Sequence, residues 1–240
     1  MTAHRERPRR SAAGRAGSAL RTVQRSVHDL GWRTSLRQTA RRVEDRWFDV
    51  RHGVHTGGMI EIADLALDPE RAEYACGYAA TGHREFHQAM AMIPPVDGGA
   101  FLDMGCGKGR VLLMAAAYPF ARIAGIEISA ELLDEARANV ARFGNGTDRQ
   151  FDVECTDVRD MAFRGDERVV FLYNPFDEPL VAGIVDSLCR SIRTHPRTVH
   201  VLYANPRHRH VLDGAEGFTS VGNGTGGRVD VAVYRAGPAL

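Results

Sequence analysis

The chain has 240 residues, with 31 Lys plus Arg against 30 Asp plus Glu, 44% hydrophobic and 25% charged residues, which is the make-up of a soluble globular protein with a core of useful size. Its most apolar stretch, Val111 to Tyr118, falls far short of the roughly 20 residues a membrane span needs and excludes membrane insertion. Cys76, Cys106, Cys155 and Cys189 form no CxxC pair and follow no secretory signal, so a reduced, cytoplasmic protein without structural zinc is expected.

Residues 1–18 are Arg, Ala, Ser and Gly with almost nothing to bury, and read as a disordered basic tail. The first 50 residues hold twelve Arg and five acids, while the remainder is net acidic, so the positive charge lies in an arm. Leu20, Val23, Val27 and Leu30 recur at helical spacing, and Leu36, Ala40, Val43, Trp47 and Val50 do so again after Gly31. Two short amphipathic helices are expected, packed by these faces on the main domain. Residues 51–58 read as a glycine-punctuated loop, followed by helical pieces over 61–67 and 82–93, the second ended by Pro94-Pro95.

From residue 99 short apolar runs alternate with helical stretches. The runs are Ala100–Met104, Arg122–Ile128, Phe151–Cys155, Val169–Tyr173 and Val199–Tyr203; the helical patterns cover 109–117, 129–142 and 178–193. That alternation means an α/β fold with a parallel sheet covered on both faces. The end of the chain differs. Gly217–Val221 and Val229–Tyr234 flank a glycine-rich turn with no helix between them, so they read as a hairpin that brings in an antiparallel strand.

The chemistry concentrates where the strands end. Phe101 to Arg110 reads FLDMGCGKGR, a strand running into a glycine turn that lets a ligand approach the backbone. The spacing is GxGxG rather than the GxGxxG of dinucleotide sites, and Asp103, two residues before Gly105, repels a pyrophosphate but suits an ammonium group. Glu127 ends the next strand, 22 residues after Gly105, where a carboxylate can accept both hydroxyls of a ribose. Asp157 follows the third strand by two residues, placed either to accept an adenine amino group or to cap a turn.

Together these residues resemble the class I S-adenosylmethionine-dependent methyltransferases, from about Tyr78 to the C-terminus. The resemblance implies a doubly wound, mostly parallel seven-stranded sheet with an antiparallel terminal hairpin strand. It also implies S-adenosylmethionine as cofactor and a methyl-acceptor substrate. Asp103, Gly105 and Gly107 would hold the methionine end, Glu127 the ribose and Asp157 the adenine. Asn174-Pro175-Phe176, closing the fourth strand, resembles the Asn/Asp-Pro-Pro-aromatic motif of amino-group methyltransferases with one proline missing, which points to a nitrogen acceptor on a protein side chain or small molecule. Asn174 would then stand at the border of cofactor and acceptor.

Tyr78 and Thr81 resemble the Tyr-x-x-Thr segment that closes over the methionine moiety in some lysine methyltransferases. Residues 51–58 read as a lid over the same pocket, with His52 and His55 as loop bases or as solvated side chains. His83 with His87, and His208 with His210, have ligand-like spacing but no companion acid or cysteine motif, so no metal is expected. The chain thus divides into the tail (1–18), a helical extension and lid (19–95) and the methyltransferase domain (96–240). Two rival readings are an NAD(P)-binding oxidoreductase, opposed by the glycine spacing and Asp103, and a nucleic-acid-binding module using the basic arm, opposed by the acidic main domain.

Overall fold

A computed structural model describes residues 43–44, 46–144, 148–173, 176–224 and 229–238. The tail, the helix expected over 20–30, residues 225–228 of the hairpin turn, Asn174 and Pro175 lie outside these. The elements before the sheet are short: α1 (residues 46–52), β1 (Met59–Ile60), a 3-10 turn (Ile62–Asp64), α2 (Pro69–Tyr74), β2 (Tyr78–Ala79) and α3 (His83–Ala91). Among the described residues, strands β1 and β2 pair only with each other, antiparallel. The helix expected over 61–67 is reduced to the 3-10 turn, because Asp68 caps a new helix by accepting from the Arg71 N–H and Pro69 fits its first turn.

Beyond residue 99 the elements are β3 (Ala100–Met104), α4 (Arg110–Ala115), β4 (Arg122–Glu127), α5 (Ala130–Gly144) and β5 (Gln150–Cys155). They continue with β6 (Glu167–Tyr173), α6 (Glu178–Thr194), β7 (Val199–Ala204), α7 (Arg209–Asp213), β8 (Phe218–Gly224) and β9 (Val231–Ala236). The seven long strands make one sheet of order β5-β4-β3-β6-β7-β9-β8, parallel except that β9 runs antiparallel to both β7 and β8. The expected fold is the observed one, including the reversed strand.

The core explains why the central strands read as unbroken apolar runs. Helices cover both faces, so successive side chains of one strand are buried on opposite sides. Phe101 packs with Phe86, Leu112 and Ile123, while its neighbours Leu102 and Met104 pack with Leu188 and Tyr203 beneath α6. Helix α6 starts where Asp177 accepts from the Leu180 N–H at 3.0 Å and buries Val181, Ile184, Val185, Leu188 and Ile192. Each such aliphatic side chain contributes roughly 1.5–3 kcal/mol on burial, so replacing Leu188 with Ala would cost about 2–5 kcal/mol. Past the end of α6, Arg197 and Glu167 form a buried ion pair at 2.9 Å that ties this helix to the start of β6.

One further expectation about the extension needs correction. Val43, Trp47 and Val50 keep their helical spacing but are 63%, 60% and 74% exposed, so they are not the packing face. Phe48 is buried instead, in one core cluster with Val54 and Val111. The period was readable; the face was decided by what Phe48 and Asp49 meet across the chain.

The order of strands positions the site. From β3 the chain steps outward to β4 and β5, then crosses back to β6 on the other side of β3. The connections diverge there and open a crevice at the carboxyl ends of the strands, the usual ligand position of such sheets.

Candidate functional site

The cleft at this switch point encloses about 840 Å³, open solvent included, and is lined by the ends of β3, β4 and β6, the loop after β5, and residues 74–79 with Thr81. Its floor is the glycine turn. Gly105, Gly107 and Gly109 all have positive φ, at 80°, 52° and 81°, a conformation that a side chain would strain. Gly105 and Cys106 each donate a backbone N–H to the Ile126 carbonyl at 2.9 Å, which fixes the turn against β4. A Cβ on Gly107 would stand 2.3 Å from the Tyr78 ring, so residue 107 has no room for a side chain.

Glu127 first serves the turn itself. Its Oε2 accepts from the Gly107 N–H and its Oε1 from the Ser129 N–H, both at 2.9 Å. Burial pushes its carboxyl upward against the backbone donors that favour the charged form. Asp103 is placed differently. It is 2% exposed and lines the cleft, and its carboxylate makes no hydrogen bond or ion pair with any described residue. Burial, and then the neighbouring Glu127 charge, raise its carboxyl well above the usual range. Thr81, 4% exposed, lines the same cleft with a hydroxyl that likewise has no described partner. Buried polar groups are almost always paired, so an unpaired acid and hydroxyl facing one cleft are an unmet demand for a polar ligand.

Asp157 also lines the cleft but is engaged. Its oxygens accept from the Arg159 side chain and backbone and from the Tyr74 hydroxyl at 2.7 Å. Burial pushes its carboxyl up, and these donors outweigh that to bring it down to about 2. Half-burial and the bond to Asp157 push the Tyr74 phenol up to about 12. Tyr78 lines the cleft with its ring over Gly107, and its hydroxyl donates to the Thr56 carbonyl at 2.6 Å. Tyr173 and Phe176 line the cleft; Asn174 and Pro175, between them in sequence, lie outside the described residues.

The loop 51–58 lines none of the cleft. Asp49 accepts from the Thr56 hydroxyl at 2.7 Å and the Gly57 N–H at 2.9 Å, and Asn139 of α5 exchanges hydrogen bonds with the His55 backbone. His52 is wedged between Phe48 and Phe143, and the His55 ring does not line the cleft either, so neither histidine is placed as a base. The chain that roofs the site is 74–79 with Thr81, not 51–58. The His83 and His87 rings lie tilted against each other with centroids 4.1 Å apart, and His87 Nδ1 meets the Tyr118 hydroxyl at 2.7 Å. Burial, with His83 beside it, lowers the His87 imidazole to about 4. His208 and His210 both face Glu178.

Sequence reasoning missed Arg110. It lies 2% exposed in the cleft wall, directs Nε to the Thr56 hydroxyl at 2.7 Å and pairs with Asp49 at 3.1 Å. Its only local signal is a charge immediately after the third glycine, at the head of a wholly buried helix. Tyr74 was missed as well, since nothing near it in sequence points to Asp157.

The site offers an unpaired carboxylate and hydroxyl, a second carboxylate at the end of β4 and a turn free of side chains, a set that fits S-adenosylmethionine. Residues 101–194 match the family model described as methyltransferase domain. Among solved structures, the chain is similar to a ribosomal protein L11 methylase from Lactobacillus delbrueckii subsp. bulgaricus, at 17% identity and a TM-score of 0.48, covering 65% of this chain and 80% of that one. It is also similar to the N-methyltransferase NodS from Bradyrhizobium japonicum, solved with S-adenosyl-L-homocysteine, at 15% identity and a TM-score of 0.47, covering 65% and 86%. No curated protein matches. Among the described residues no helix is long and apolar enough to cross a membrane.

Proposed function

We propose that this chain, whose residues 101–194 match a methyltransferase domain, is a class I S-adenosylmethionine-dependent methyltransferase and that it methylates a nitrogen atom of a protein side chain or small molecule. The observation that carries the cofactor side of this reading is the buried, unpartnered carboxylate of Asp103 beside the glycine turn. In this assignment Asp103 takes the ammonium group of the cofactor, with Thr81 and the turn at Gly105 and Gly107 around the methionine end. Tyr78 walls that end, Glu127 accepts from the ribose and Asp157 lies at the adenine.

When bound, S-adenosylmethionine supplies a methyl group already activated by its sulfonium. The protein's task is then orientation and exclusion of water, and orientation alone is worth roughly 7–11 kcal/mol of barrier. Asn174, next in sequence after Tyr173, is assigned as the acceptor-side residue on its sequence motif: its amide oxygen and the Pro175 carbonyl would accept from the target nitrogen, with Phe176 against the acceptor. A protonated amine has no lone pair to offer, so the acceptor must reach the site neutral or lose its proton to solvent there. Residues 96–240 are the catalytic domain in this reading and 19–95 an N-terminal extension, of which residues 74–79 and Thr81 line the cleft. The four cysteines are all free thiols, which supports a reducing, cytoplasmic setting.

Incubating the protein with methyl-labelled S-adenosylmethionine and a cell lysate tests the acceptor. Label that resists mild base in a protein or small-molecule fraction is expected. Label released by base, as from a carboxyl ester, or confined to nucleic acid, would overturn the assignment.

A further inference from the structure

The carboxylate of Asp157 has no acceptor position to spare. Its Oδ1 takes the Arg159 backbone N–H at 2.9 Å and Nε at 3.2 Å; its Oδ2 takes Nη2 of Arg159 at 2.8 Å and the Tyr74 hydroxyl at 2.7 Å. An ionised carboxylate offers about four such positions, and these donors fill them. An adenine amino group therefore reaches Asp157 only by displacing a donor.

The donors are not equally easy to displace. Three belong to Arg159, two residues along the same loop, and leave only if that turn unwinds. The fourth belongs to α2, a six-residue helix with no buried residue, started by the local signals Asp68 and Pro69. What the structure shows joining α2 to the loop after β5 gathers on Arg159 and Asp157. The Arg159 guanidinium lies 4.2 Å over the Tyr74 ring, its Nη2 donates to the Tyr74 hydroxyl at 2.6 Å, and its Nη1 meets Glu70 at 3.5 Å. Tyr74, Ala75 and Cys76 then line the cleft directly.

We propose that α2 is a gate at the adenine end of the cleft, latched by the Tyr74 hydroxyl, which occupies the position on Asp157 that the adenine amino group takes. The proposal rests on the cofactor reading above. Arg159 stays in place as the fixed partner that keeps Asp157 charged, and Tyr74 is the exchangeable one. Adenine recognition at this site is thus a swap of one donor for another, and a purine without the amino group has no donor to offer in return.

Tyr74→Phe removes the latch and keeps the ring. In calorimetric titrations S-adenosylhomocysteine should bind the variant about tenfold more tightly than the parent, the worth of one hydrogen bond to a charged group. The counterpart with unsubstituted purine, which carries hydrogen in place of the amino group and has no N–H donor on its base, should show no such gain. Amide exchange over residues 69–76 should speed up when the parent binds S-adenosylhomocysteine and be fast already in the variant. Equal or weaker binding by Tyr74→Phe, or exchange that slows on binding, means Tyr74 remains on Asp157 and closes over the ligand; the gate then falls while the cofactor reading stands. No binding of S-adenosylhomocysteine to either protein overturns both.

Discussion

Replacing Asp103 with Asn should move stability and ligand affinity in opposite directions. The amide has the shape of the carboxylate and keeps an acceptor oxygen, but it carries no charge into a position that is 2% exposed and has no described partner. In the folded protein burial and the Glu127 charge raise the Asp103 carboxyl well above its ordinary value, so the folded state holds a proton that the unfolded state has released. Stability therefore falls as pH rises from the ordinary carboxylate range through the raised value, and that loss is absent in Asp103→Asn. Denaturant unfolding at about pH 8 should find the ligand-free variant more stable than the parent, with the difference closing toward about pH 4. For the ligand the sign reverses. A lost hydrogen bond between charged groups is worth about 1.5–3 kcal/mol, so S-adenosylhomocysteine should bind roughly 10- to 150-fold more weakly. Parent affinity should itself rise with pH as the proton competing for Asp103 is lost. A variant less stable than the parent at high pH, binding the ligand with parental affinity, would refute the view of Asp103 as an acid held unpaired for a cation.

Glu127→Ala strands the Gly107 and Ser129 N–H groups, each at about 1–3 kcal/mol when left unpaired, so both the melting temperature and the affinity for S-adenosylhomocysteine should drop; an unchanged melting temperature would show that the turn does not depend on it. Phe48→Ala should cost about 3–5 kcal/mol in urea unfolding. Trp47→Ala and Val50→Ala should stay within about 0.5 kcal/mol, which separates the buried from the exposed face of α1. Asn174→Ala should reduce turnover on the acceptor found by labelling while leaving cofactor affinity nearly unchanged; equal turnover would remove Asn174 from the site and with it the main reason to prefer nitrogen.

The sheet was legible because its central strands are buried on both faces and appear as continuous runs such as Val169–Tyr173 between glycine, aspartate and proline punctuation. Asp103, Glu127 and the glycine turn were legible for a related reason: they sit at strand ends, at positions set by the repeat of strand and helix. The extension was not, since its structure is decided by partners distant in sequence. Asp49 and Arg110 meet across 61 residues, His55 and Asn139 across 84, and Tyr74 and Asp157 across 83. Helix α2 buries no residue and so leaves no apolar period to read. The stripe of Val43, Trp47 and Val50 shows the converse, for its period predicts a helix correctly but carries no information on which face another element covers.

In the proposed reading the cleft at the β3 switch point takes S-adenosylmethionine rather than a dinucleotide. Calorimetric titration of the purified chain with S-adenosylhomocysteine, repeated in the presence of NADH, tests it most directly. Saturable binding of one ligand per chain, unchanged by NADH, is expected. The absence of saturable binding, or NADH occupying the same site with comparable affinity, would contradict that reading.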